Sequence, residues 1–422
     1  MVGDSLRMSY PIQVIVTIDF STGATFGYPF ILDDPDHGKL GTGTLSDSAN
    51  TTVDVSNQTV SAALRGSYNL LQDQFEPGTA TFRIVDPNGD FNPQNTASPY
   101  YGKLLPLRKI RCSAFYNGTL YYLFSGYIQS WLYSYPKNQD IGYVDVIAAD
   151  GFRLMNMSNI TTVTGAVAGE TTGARVNKIL DQISWPSGMR NIDTGDSTVQ
   201  ADPGQLRSSL NAIKNVEFSE QGAFYINGEG NAYFISRRNL QLKSAVTPTV
   251  FANNGTGIPY WQLQLANDDK LVINTASITR YGGTAQTASD ATSIATYFPH
   301  SFTVNNLVVE TDAEALNIAR AYVATRKDTS IRIDAMTLDL TTPNYSAGIV
   351  AALSADNFSL FKIINEAQGS VTLTKTLEVV SVAHDITPTT WKTTFTTSEP
   401  IIDAFILDNS VFGVLDQSVL AY

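Results

Sequence analysis

The sequence predicts a mainly β protein with α+β insertions, and three observations carry that prediction. Apolar and polar residues alternate with period two in several segments, the pattern of strands with one face buried. Turn-forming Asn, Gly and Pro residues separate those segments. Charged residues make up only 16% of the 422 residues, below the usual ~25%. Their place is taken by Thr, Ser, Asn, Gly and by 20 Tyr, 20 Phe and 4 Trp, a composition suited to pleated sheets and their turns.

The elements follow in chain order. Ile12, Val14, Val16, Ile18 and Phe20 alternate as a first strand. Ala80, Phe82 and Ile84 repeat the pattern before the turn Asp86 to Asp90. Runs 110–116 and 119–127 flank Asn117-Gly118, a dipeptide that favours a type I′ hairpin because both central residues take positive φ. A strand over 142–148 is expected to close this unit, giving a barrel or sandwich over residues 1–155.

Residues 156–245 read as a small α+β domain. Val176, Ile179, Leu180 and Ile183 have helical spacing, with Pro186 as the stop. Leu206, Leu210 and Ile213 predict a second helix, and a hairpin follows with its tip at Asn227 to Gly230. Residues 246–400 are mostly strand-like, with a helix-containing insertion over 311–345. There Thr311 and Glu314 form a capping box ahead of an apolar face of Ala315, Leu316, Ala319, Tyr322 and Val323. Residues 401–422 read as an extended arm whose Phe405, Ile406, Leu407, Val411 and Phe412 need a surface to cover them.

Several function classes are excluded or disfavoured. With 27 Lys and Arg against 39 Asp and Glu, the net charge of −12 opposes sequence-specific nucleic-acid binding. One cysteine, Cys112, allows neither an intramolecular disulfide nor a thiolate metal cluster. The N-terminus lacks a basic stretch followed by an apolar one, and no apolar run nears the ~20 residues of a membrane span. The chain is therefore expected to be made and folded in a cytoplasm. Eight Asn-x-Ser/Thr sequons then read as a by-product of composition.

Catalytic patterns are wanting, and no cofactor is expected. His37, His300 and His384 lack metal-ligand spacing. Gly38, Gly41 and Gly43 superficially suggest a phosphate loop but stand in the wrong order. Asp86, Asn88 and Asp90 alternate like the start of a calcium loop, yet Phe91 occupies the position that needs Gly, so a structural turn is expected. The acidic run Asp33, Asp34 and Asp36 reads as a solvated loop, with a hard cation as the alternative.

The most specific stretch is an ordered set between Phe75 and Ile128. It comprises Asp86, Asn88, Gly89, Phe91, Asn92 and Pro93, then Ser98, Pro99, Tyr100, Tyr101 and Gly102, then a strand entered through Leu105, Pro106 and Arg108. This set resembles the N-terminal barrel of tailed-bacteriophage minor tail proteins of the baseplate-hub family. Segments 316–340 and 379–395 resemble the family's later helix–strand unit and final strand pair. The resemblance implies two tube-like antiparallel β-barrels plus a smaller α+β domain, in a homotrimer at the tail tip. It implies as partners a distal tail protein, a tape-measure protein and fibre or spike proteins, with DNA only as passing cargo. Tyr100 and Tyr101 then have two readings, anchoring a subunit interface or covering their own barrel. A carbohydrate-binding adhesin, motivated by aromatic and Asn-rich β segments, is the alternative function. A glycan hydrolase rests only on abundant carboxylates.

Overall fold

A computed structural model describes residues 10–20, 28–29, 43–44, 52–135, 142–243, 246–367 and 371–400. The expectations for Asp33 to Asp36, His37, Gly38 and Gly41 lie outside the described residues, as do those for the arm, Phe405, Ile406, Leu407, Val411 and Phe412.

The fold is mainly antiparallel β. A thirteen-stranded sheet dominates, and seven α-helices lie among the described residues. The N-terminal strands are β1 (Gln13–Asp19), β2 (Thr52–Asp54), β3 (Thr59–Asn69), β4 (Gln74–Asp86), β5 (Lys109–Tyr116), β6 (Thr119–Ser134) and β7 (Gly142–Ala149). They lie side by side in the order β3-β4-β7-β6-β5-β1-β2. Strand β7 thus sits between β4 and β6, where the sequence suggested a closing strand. The alternation works as expected: Ala80, Phe82 and Ile84 are buried while their neighbours face outward. At the hairpin tip Asn117 and Gly118 have φ of 49° and 82°, both positive as a type I′ turn requires.

The central unit contains α1 (Phe152–Met157), α2 (Thr172–Gln182) and α3 (Ser209–Glu220), then the hairpin β8 (Ala223–Ile226) and β9 (Ala232–Ile235) and helix α4 (Arg237–Lys243). Helix α2 ends at Gln182, ahead of Pro186, because Ser184 takes a positive φ of 57°. Helix α3 starts later than the spacing suggested. Ser208 caps it by accepting from Asn211 N, and Leu206 is 74% exposed in the approach instead of helical.

Farther along are β10 (Thr249–Ala252), β11 (Gln262–Ala266), β12 (Thr275–Arg280), β13 (Gln286–Ser289), α5 (Ala291–Tyr297), β14 (Ser301–Leu307) and α6 (Asp312–Arg326). The chain continues through β15 (Arg332–Asp339), α7 (Ser346–Ser354), β16 (Leu360–Ala367), β17 (Val371–Ile386) and β18 (Trp391–Ser398). The capping box at Thr311 and Glu314 is formed in both directions. Ile318, rather than Leu316, completes the buried face of α6, since Leu316 is only half-buried. Helix α6 packs on the small sheet β13-β12-β14, whereas β15 joins the large sheet. The insertion drawn over 311–345 therefore separates into two different layers.

Both halves of the chain meet in one sheet, which continues β11-β15-β18-β17-β3. At the join, Ala62 to Arg65 of β3 pairs with Ala383 to Ile386 of β17. One apolar core runs beneath, from Val14 and Phe82 to Phe361 and Phe395. Tyr10 fastens the two sequence ends together: its Oη donates to Thr387 O at 2.7 Å and its ring meets Trp391 edge-on at 5.8 Å.

Candidate functional site

The ordered motif forms a loop that hydrogen-bonds to itself between β4 and β5. Asp86 Oδ2 accepts from Phe91 N at 3.1 Å, and burial raises the carboxyl's pKa. Gly89 takes φ 71°, and Asn95 Nδ2 donates to its carbonyl at 2.9 Å. Asn92 Oδ1 accepts from Gln94 N, Ser98 Oγ donates to Asp90 O, and Ser98 Oγ also accepts from Tyr100 N. Gly102 has φ 72° in open space, and Arg108 Nε donates to Lys103 O at 3.1 Å. Pro93 and Pro99 lie within this run of turns, and Asn88 Nδ2 lies 3.5 Å from Asp90 Oδ2.

The two tyrosines separate. Tyr100 stacks on Phe20 at 4.9 Å and lies 5.2 Å from Phe91, so it covers its own lobe. Tyr101 is 51% exposed and available to another surface. Trp131, near both Phe20 and Phe91, donates from Nε1 to Leu105 O and ties the loop to β6.

Of the three histidines, His300 and His384 are described, and they have separate surroundings. His300 lies against Tyr297 O, with its Nε2 3.4 Å from Asp269. His384 is buried at the join of the sheet. Trp391 Nε1 donates to its Nδ1 at 3.2 Å, which leaves the ring proton on Nε2. Burial pushes the imidazole down to about 4, so it is neutral at physiological pH. Among the described residues no cluster of three or more His, Cys, Asp or Glu could hold a metal ion, and no helix is long and apolar enough to cross a membrane.

Two cavities were not legible in the sequence. One of about 430 Å³ lies under the tip of the β8–β9 hairpin, beside Gly66, Ser125, Asp150, Tyr225 and His384. Asp150 accepts from Gly78 N at 2.7 Å and from Phe152 N at 3.0 Å, yet burial pushes its carboxyl up to about 7. The second, about 850 Å³, opens between α3, α6 and strand β17. Buried Tyr322 and half-buried Tyr68, Asp73 and Arg326 form a group on its wall, with Arg326 paired to Asp73. Glu217 is held by Lys214 at 2.8 Å, by Gln74 Nε2 at 3.1 Å and by Phe224 N at 2.6 Å. Glu378 lines the same cavity at 6% exposure, and burial pushes it up to about 8. Asp150 and Glu378, both driven toward neutrality by burial, thus line separate cavities.

A large sheet crossing both halves of the chain, with a small α+β unit inserted between them, is a fold also found in phage tail proteins. Two solved structures share it along most of their length. The tail protein from Neisseria meningitidis MC58 superposes with a TM-score of 0.55 at 10% identity, covering 93% of this chain and 98% of that one. The 43 kDa tail protein of prophage MuSo2 from Shewanella oneidensis gives 0.52 at 12% identity, covering 83% and 97%. No family model matches the sequence, and no curated protein does. At this identity the likeness is one of fold, and it agrees with the fold implied by the Phe75–Ile128 motif.

Proposed function

We propose that the chain is a structural component of a bacteriophage tail tip, a baseplate hub that closes or extends the tail tube as a homotrimer. The observation that carries this reading is whole-chain likeness to a tail protein, with a TM-score of 0.55 and nearly complete coverage of both chains. In this reading residues 1–155 and 246–400 supply two tube-like units per subunit, so three subunits present six around the axis. Residues 156–245 fill the space between them, and the arm from 401 reaches a neighbour. The partners are the distal tail protein, the tape-measure protein and the fibres or spike. Three subunits at −12 each bring −36, which repels the phosphate backbone and lets DNA pass without sticking during ejection. Exposed Tyr101 is assigned to a subunit contact.

Light scattering of the purified chain tests the closed threefold symmetry. The expected mass is about 137 kDa, three times 45.8 kDa, at two concentrations. Antibody labelling of virions should then decorate the tail tip. Label along the shaft, or none on virions, would overturn the reading.

A further inference from the structure

We infer that the larger cavity is a receptor for a lysine or arginine side chain carried on a segment of a partner tail protein. The inference takes the partner's identity as a tail protein from the proposed function, but its chemistry comes from the cavity alone. The central observation is Glu378. The residue lines the 850 Å³ cavity and is 6% exposed, and among the described residues nothing hydrogen-bonds to its carboxyl or forms an ion pair with it. A buried carboxyl without a partner costs free energy that an incoming cation would recover.

Charge on the walls supports the same ligand. Eight Asp and Glu side chains line the cavity against three guanidinium groups, and of the eight only Asp73, Glu217, Asp334 and Glu399 have a cationic partner among the described residues. Of those three, Arg326 is paired with Asp73, and Arg332 with Asp268 and Asp334. Arg237 is exposed. Phe218, Ile333, Phe358 and Leu377 supply apolar wall for the methylene stem of a long basic side chain.

Among the described residues no cation pairs with Glu378. Lys243 attracts Glu378 at a distance, but its Nζ stands over the Phe358 ring, 5.7 Å from the centre, and forms no ion pair with the carboxylate. Asp356 draws on the same lysine. Among the described residues no cation fills this place, which leaves it open to one from a partner chain.

The test uses full-length protein and three blocked tripeptides with lysine, arginine or leucine between two alanines, titrated calorimetrically. The lysyl and arginyl peptides should bind and the leucyl peptide should not. Because the carboxyl must ionise to hold a cation, the arginyl peptide should bind about tenfold more weakly at pH 7 than at pH 9. Glu378→Gln should weaken binding at least tenfold while melting no lower than wild type, since it removes a buried carboxyl that had no partner. Equal binding of the leucyl peptide, or undiminished binding by Glu378→Gln, would overturn the inference. So would binding seen only in Lys243→Met, which would mean that Lys243 fills the site itself. If Glu378→Gln misfolds, the pH dependence of wild-type binding still decides. Failure of the hub reading would appear separately, in the mass and the virion labelling.

Discussion

His384 shows how one residue ties stability to pH. Its ring is neutral, accepts from Trp391 and is buried where the two halves of the sheet join. The folded pKa, about 4, lies below the ordinary 6.5, so the unfolded chain takes up the proton first as pH falls. The stabilisation is complete above pH 6.5 and is lost as pH falls toward 4, by about 3 kcal/mol in all. Asp150 and Glu378 run the other way: their raised pKa values give stability at low pH that is lost as pH rises through about 7 and 8. The informative quantity is therefore a difference. Denaturant unfolding of wild type minus His384→Asn, whose amide oxygen keeps an acceptor for Trp391, should decline between pH 6.5 and 4. A flat difference would remove His384 from the account.

At the scale of elements, two hairpins use the same Asn-Gly dipeptide for different reasons. Gly118 has φ 82° and nothing within 4 Å of where a Cβ would stand, so its demand is purely conformational. Gly228 does not take a positive φ, yet a Cβ there would lie 2.2 Å from Tyr122 O, because that hairpin tip presses on β6. Gly118→Ala should cost about 1 kcal/mol, the ordinary strain of an L-residue at positive φ. Gly228→Ala should cost more, about 2–3 kcal/mol, because backbone must move. Thermal melts of the two variants would rank them, and the reverse order would contradict the packing of the hairpin tip.

For the whole molecule, continuity of the sheet and core implies cooperativity between chain ends more than 300 residues apart in sequence. Strand β3 finds partners in both β4 and β17, and the Arg65–Asp385 pair and the Tyr10–Thr387 bond lie across the join. An edge would be exposed if either half opened alone. Native-state hydrogen exchange should therefore give amides of 62–65 and 383–386 protection as high as those in the interior of β4 and β7. Much faster exchange at the join would show that the halves open independently.

Local pattern was enough for much of this. Period-two alternation gave β1 and β4, positive-φ chemistry gave the Asn117-Gly118 turn, and Thr311 with Glu314 gave the start of α6. Each rests on interactions within a few residues, which a sequence states directly. The motif between Asp86 and Arg108 was likewise legible as an ordered set because its bonds are nearly all internal to the loop. Helix α7 was not foreseen, for Ser346 to Ser354 gains its place only by burying Ile349, Ala352 and Leu353 against the distant sheet. Leu206 and Leu316 had helical spacing, yet the first is exposed ahead of its helix and the second only half-buried, since spacing alone does not report what lies opposite. Which tyrosine turns inward, where the two halves join, and that Glu378 faces a cavity without a counter-charge were all decided by contacts between residues far apart in the chain. Those contacts set burial, and burial set the charge state of His384, Asp150 and Glu378.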